Sequence, residues 1–233
     1  MGTFKLSSTG YAFTFQAMAN IPQKYLAAAS FLSEAGYSIP TILPVGDSVP
    51  NDIPIILLRK SDDASQISIC RNKCTIIFPP NTPDSDQDEA VNKVQVFLKE
   101  FAGELKDLHY FGINKTYQLV CNTSADIIRK KVSFLDTFAN ISDINISFSE
   151  ILENRFYANS QIANSRIYSV PVNPNEKGFL KANNKDTLIV NIDVNNRYAF
   201  NMGQSVDDFD NELSSIKRIL KEKEDQILKL FEE

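Results

Sequence analysis

The chain has a single histidine, His109, among its 233 residues. That scarcity excludes a metal centre built from several histidines, and any serine–histidine hydrolase that does not rely on His109 itself. No glycine-flanked serine elbow occurs to pair with it. Glycine is scarce too, at eight residues. Neither the Walker spacing nor the dinucleotide-binding spacing is present, which removes nucleotide-dependent catalysis by those folds. Three cysteines, Cys70, Cys74 and Cys121, form no repeated pattern and no disulfide framework. Cys70 and Cys74 flank an expected turn, but without further Cys or His partners their spacing is poor for zinc. Reduced, buried thiols are the expectation, and no metal or cofactor is implied.

Long apolar runs are absent as well. No stretch of about 18 uncharged apolar residues exists, and Met1-Gly-Thr-Phe-Lys5 lacks the charged-then-apolar pattern of a leader. The expectation is therefore a cytoplasmic protein with no membrane partner. Hydrophobic residues make up 43% and charged residues 23%, enough apolar surface for a sizeable core. The net charge of −5 disfavours binding to a phosphate backbone. The two basic strips, Arg129-Lys130-Lys131 and Lys217, Arg218, Lys221 and Lys223, read as solvated helix faces.

What is present is an ordered series of elements. A strand from Tyr11 to Met18 precedes a helix from Pro22 to about Gly36, with proline in its first turn and glycine at its end. Three apolar segments follow, Ile53–Arg59, Gln66–Cys70 and Cys74–Phe78, separated by Ser61-Asp62-Asp63 and Arg71-Asn72-Lys73; they read as an antiparallel meander. Val91, Val94, Leu98, Phe101 and Leu105 form one apolar stripe, predicting a helix from Ser85 to Leu105. The second half opens with a strand from Leu108 to Cys121, bent at Asn114-Lys115, and a helix from Ser124 to Ala139. Strands are expected at Ile144–Tyr157, Arg166–Val172 and Thr187–Val194, with long polar loops between Tyr157 and Asp186. Pro40–Pro54 is the corresponding loop-rich stretch of the first half. Phe209, Leu213, Ile216, Leu220, Ile227 and Leu230 predict a closing helix from Val206 to Phe231.

The order β-α-β-β-β-α thus occurs twice, in residues 1–106 and 107–233, as two halves or one continuous domain. Both closing helices begin alike, with Ser85-Asp-Gln-Asp88 and Ser205-Val-Asp-Asp208, where serine would cap and carboxylates would face the positive helix end. That chemistry accounts for the acidic runs Asp84, Asp86, Asp88, Glu89 and Asp207, Asp208, Asp210 without a bound cation. The expected fold is α+β: two β-α-β-β-β-α pseudo-repeats forming a curved antiparallel sheet with helices on one face, closed by a long C-terminal helix. The other sheet face would be open to a partner. The last helix would span about 39 Å at 1.5 Å per residue. Lys223 interrupts its stripe, so Ile227, Leu230 and Phe231 are candidates for docking on a second copy or another protein, against the plainer reading of a helix lying across both halves.

Three segments carry a resemblance: Asp52-Ile-Pro-Ile-Ile-Leu-Leu58 with the Gln66–Phe78 hairpin, Tyr110-Phe-Gly-Ile-Asn114, and Thr187-Leu-Ile-Val-Asn-Ile-Asp-Val194. On these the chain resembles an uncharacterised, patchily distributed bacterial family of similar length with no assigned activity. The doubled element order also resembles the topology of TATA-binding-protein-like folds, in which a saddle-shaped sheet offers its open face to a ligand. Neither likeness transfers a function. The expectation that follows is a non-enzymatic protein-binding, accessory or inhibitory protein, in a bacterial or phage conflict system, with a protein partner or a homodimer. The alternative is a ligand-binding protein or enzyme whose site gathers His109, Tyr110, Arg155 and Asp193 from separated strands. A third reading, nucleic-acid binding, is disfavoured by the acidic balance.

Overall fold

Strand residues alternate between two environments, and among the described residues that alternation is extended across one antiparallel sheet of nine strands. A computed structural model describes the chain except for residues 1–2, 34–35, 38–39, 45, 47–48, 61–63, 103–107, 122, 138–142, 170–180, 207 and 232–233. The strands are β1 (Lys5–Phe15), β2 (Thr41–Ile42), β3 (Ile56–Arg59), β4 (Gln66–Ile69), β5 (Lys73–Phe78), β6 (Leu108–Cys121), β7 (Asn145–Leu152), β8 (Phe156–Ser169) and β9 (Lys181–Asn195). Their spatial order is β2-β3-β4-β5-β1-β6-β9-β8-β7. In each half the opening strand lies beside the last strand of the meander, β1 on β5 and β6 on β9. The two opening strands pair with each other at the centre of the sheet. The halves differ in detail, because β2 has no counterpart among the described residues of the second half.

The helices are α1 (Ile21–Ser33), α2 (Asp84–Ala102), α3 (Ser124–Lys131), α4 (Arg197–Asn201) and α5 (Phe209–Lys229), with a 3-10 turn at Ser133–Thr137. Buried side chains of α1, α2, α3 and α5 join one core with alternate strand residues such as Phe13, Ile67, Ile76, Phe111, Ile162 and Ile192. The expected stripes do this work: Val91, Val94 and Leu98 of α2, and Phe209, Leu213, Ile216, Leu220 and Ile227 of α5, are all buried. Where β1, β6 and α5 meet, Phe111 and Phe209 lie with ring centroids 4.4 Å apart and Phe13 stacks at 6.1 Å from Phe209, a close aromatic packing that anchors the closing helix on the sheet's centre. At Gly112 a Cβ would fall 2.5 Å from Asn195 Cβ, so only glycine permits this approach of β6 and β9.

Several expectations meet a different outcome. β6 runs unbroken through Asn114-Lys115, because both flanking strands continue their ladders there. The segment expected as one strand from Ile144 to Tyr157 is β7 and the start of β8, reversed by a turn with Glu153 and Asn154 at φ of 54° and 49°. Asn159, Asn164, Asn183 and Asn184, expected in loops, belong to β8 and β9. The terminal cap of α5 is Asp208, whose carboxylate accepts Asn211 N–H at 3.1 Å, and not Ser205. In α2, likewise, Ser85 bonds Asp86 and lies inside the helix. α4 and β2 were not expected. Leu105, Ala139, Val172, Ser61-Asp62-Asp63, Pro171, Asn173, Pro174, Asn175 and Asp207 lie outside the described residues.

Candidate functional site: the uncovered face of the sheet

The strand residues that point away from the core define the second sheet face. On β9, Leu188, Val190, Ile192 and Val194 are buried, so Asn191, Asp193 and Asn195 turn to the other side. Register places Asn191 between Thr116 and Gln161, Asp193 between Asn114 and Asn159, and Asn195 between Gly112 and Tyr157. Their side chains make up a polar lattice of three hydrogen-bonded groups. Asn114 Nδ2 and Thr116 Oγ1 donate to Asn191 Oδ1 at 2.7 and 3.2 Å. Asn159 Nδ2 and Asn195 Nδ2 donate to Asp193 Oδ2 at 2.8 and 2.6 Å. Ser149 Oγ donates to Asn159 Oδ1 at 2.7 Å, and Gln161 Nε2 to Asn145 Oδ1 at 2.9 Å. Amides carry both donors and acceptors, so each such bond leaves further hydrogen-bonding capacity directed at solvent.

This half of the face is nearly free of charge. Among its described side chains on β6, β7, β8 and β9, Asp193 is the one ionisable group of fixed sign, and neither lysine nor arginine is present. One end is aromatic: Tyr157 meets Tyr198 edge-on at 5.5 Å, with Arg197 over the Tyr157 ring. His109 stacks on Phe200 at 4.7 Å, and Tyr110 lies 6.1 Å from the same ring. α4 therefore closes this end of the face with Tyr198 and Phe200.

The four residues expected to converge on a ligand are spread over different surroundings. Tyr110 and Asp193 share the uncovered face. His109 is held against Phe200. Arg155 is on the turn between β7 and β8, where it pairs with the buried Glu212 of α5 and donates to Gln204 Oε1 at 3.1 Å and Ser205 O at 2.9 Å. Glu212 also accepts Asn196 Nδ2 at 2.6 Å, while Asn196 Oδ1 accepts Phe111 N–H at 2.8 Å. Arg155, Glu212 and Asn196 thus bind the turn, α4, α5 and β6 into one node, in which Glu212 and Asn196 are buried and Arg155 is partly exposed. None of the cavities described is lined by His109, Tyr110, Arg155 or Asp193. A small cleft of about 250 Å³ on the helix side lies between Tyr11, Asp88, Lys115 and Lys217, whose lysines already pair with Glu224 and Asp88.

Of the three residues considered for docking, Ile227 and Phe231 are buried in the chain's own core, Phe231 edge-on to Phe4 at 6.0 Å, and Leu230 is exposed. Lys223 is explained without a partner: its Nζ reaches both oxygens of Glu150 on β7 at 2.8 Å. α5 lies mainly on β6, β8 and β9 of the second half and reaches the first half through Phe209 against Phe13, Phe231 against Phe4 and Lys217 with Asp88. Cys70 and Cys74 are buried, and burial pushes both thiols up from their ordinary range. Among the described residues no group of three or more His, Cys, Asp or Glu side chains is placed to hold a metal ion, and no helix is long and apolar enough to cross a membrane.

The lattice residues Asn114, Asn159, Gln161 and Asn195 escaped notice in the sequence. A signal was there, the period-two spacing of Asn191, Asp193 and Asn195 and of Asn159 and Gln161, but asparagine in strands is disfavoured and such residues read first as loops. No known protein family matches the chain, and no curated protein sequence matches it either.

Proposed function

We propose that the chain is a non-enzymatic binding protein that engages a protein partner through the uncovered face of its sheet. One observation carries the reading: a lattice of amides and hydroxyls, fixed in place by its own bonds, on a face that the buried sides of α1, α2, α3 and α5 leave open. Such a preordered surface loses little side-chain entropy on binding, and neutral donors and acceptors suit the polar surface of a folded protein. Tyr110, Tyr157, Tyr198 and Phe200 add the aromatic area from which interface anchors are drawn. The dispersal of His109 and Arg155 into other contacts favours binding over catalysis. The scarcity of cations among the described side chains of the β6–β9 half of this face favours protein over nucleic acid. The strand order supports the likeness to saddle-shaped sheets that bind through an open face. In the setting that the family resemblance suggests, the role would be accessory or inhibitory, in a bacterial or phage conflict system.

The test compares proteins retained from native lysate by the wild-type chain and by a Thr116→Arg, Gln161→Arg variant that places two cations on the lattice without touching the core. A partner held by the wild type and lost by the variant is the expected result. Equal retention by both moves the interface elsewhere, and retention of nothing by the wild type removes the reading.

A further inference from the structure

We propose that β7 pairs with β7 of a second copy of this chain, joining two sheets edge to edge. The inference does not rest on the function proposed for the uncovered face. β7 ends the sheet on one side, with β8 on its inner flank. Two bonds set the phase of its backbone: Asn164 N–H donates to Ile144 O at 3.1 Å, and Arg155 N–H to Leu152 O at 3.0 Å. Residues along an antiparallel strand alternate between bonding the neighbour and turning away from it. Ile144 and Leu152 bond inward, hence so do Ile146, Phe148 and Glu150. Asn145, Ser147, Ser149 and Ile151 direct their N–H and C=O groups outward, and all four are exposed.

Sheet edges are ordinarily guarded by short length, proline, lysine or an inward charge. The opposite edge of this sheet fits that rule, since β2 is the two-residue Thr41–Ile42 lying between Pro40 and Pro44. β7 keeps only one of these guards. Its eight residues, Asn-Ile-Ser-Phe-Ser-Glu-Ile-Leu, contain no proline, glycine or lysine, and the single charge, Glu150, points to the helix side, where Lys223 neutralises it. A strand of this kind is completed by another strand.

The sequence of β7 specifies its own mate. In a two-fold arrangement with the axis perpendicular to the sheet, one register pairs every outward residue: Asn145 with Ile151 and Ser147 with Ser149 of the second copy, for about eight backbone bonds. That register sets Phe148 opposite Phe148 in a position where side chains approach most closely, and Phe148 is 39% exposed in the single chain. Glu150 falls opposite Ile146, so no like charges meet. The joined sheets present their uncovered faces on the same side.

Sedimentation equilibrium of the purified full chain at micromolar concentrations tests the pairing. A dimer is expected for the wild type, at least tenfold weaker self-association for Ser147→Pro, which removes an outward donor while leaving the ladder to β8, and the same for Phe148→Glu, which sets two carboxylates on the axis. Phe148→Cys in a Cys121→Ser background, treated with oxidised glutathione, should give a disulfide-linked dimer under native conditions that Cys121→Ser alone, with its Cys70 and Cys74 buried, does not give. Circular dichroism checks that each variant is folded. A monomeric wild type overturns the proposal, as does a dimer that survives both Ser147→Pro and Phe148→Glu.

Discussion

The two faces of β9 share one backbone and differ in their relation to water. Ile192 is fully buried beneath α5, while Asn191 and Asp193 on either side of it join a lattice facing away from the helices. The core face derives its strength from removed apolar surface, which scales with area and tolerates no polar intruder that lacks a partner. The uncovered face exchanges bonds to water for bonds between amides, a trade worth little per bond. Sequence change should therefore be costly on the first face and cheap on the second, unless the second is serving a partner. The node of Arg155, Glu212 and Asn196 is the exception on the core side, a polar group admitted because each member is satisfied by another.

The largest effect that sharpens this contrast is expected at that node. Glu212→Ala removes the carboxylate shared by Arg155 and Asn196, leaving Asn196 Nδ2 without its acceptor and Arg155 without its counter-charge, and should cost about 3–5 kcal/mol in urea unfolding; a loss below about 1 kcal/mol would mean the node is no part of the stable core. Ile192→Ala should follow at about 2–5 kcal/mol, against less than about 1 kcal/mol for its neighbour Asn191→Ala. Equal losses at the two positions would break the comparison.

Alkaline pH probes the core face by another route. Burial, and then the carboxylates of Asp88 and Asp84, raise the Tyr11 hydroxyl above the usual phenol range. Burial, and then Glu224, do the same for Tyr117. A group whose folded pKa is raised stabilises the fold fully below its unfolded value and loses that contribution as pH rises beyond it. The urea midpoint should therefore hold to about pH 9 and fall as pH passes about 10, with a shallower fall in Tyr117→Phe. The smallest effect is expected at the rim: Lys223→Met breaks the pair with Glu150, whose carboxylate remains partly in water, and should change stability by less than about 1 kcal/mol. A larger loss would show that Lys223 fixes β7 in place.

Much of the helical framework was legible because it is written in local periodicity. The stripes of α2 and α5 and the hairpins of β3, β4 and β5 are patterns of three, four or two residues, and each was read close to its place. The boundary between β7 and β8 was not, since Glu153, Asn154 and Arg155 include no glycine or proline and apolar residues flank them directly at Leu152 and Phe156. The asparagines of β8 were assigned to loops because propensity says so; in the sheet, partners on β7 and β9 override it. Arg155 looked like a ligand-binding residue because nothing near it in the sequence announces Glu212. Ile227 and Phe231 looked available because a helix seen alone does not say what its stripe will cover.

By itself, the sequence determined the class of the fold, the apolar stripe of the closing helix, and the absence of the common glycine-rich nucleotide loops, histidine clusters and serine elbows. These follow from composition and short-range spacing, which act through neighbours a few residues apart. Only the tertiary structure decided which polar residues meet on the uncovered face, which charges are buried together, and which backbone groups at the β7 edge are left pointing outward. Those depend on strand register, and register is set by contacts between segments distant in the chain, where a shift of one residue would exchange the two faces.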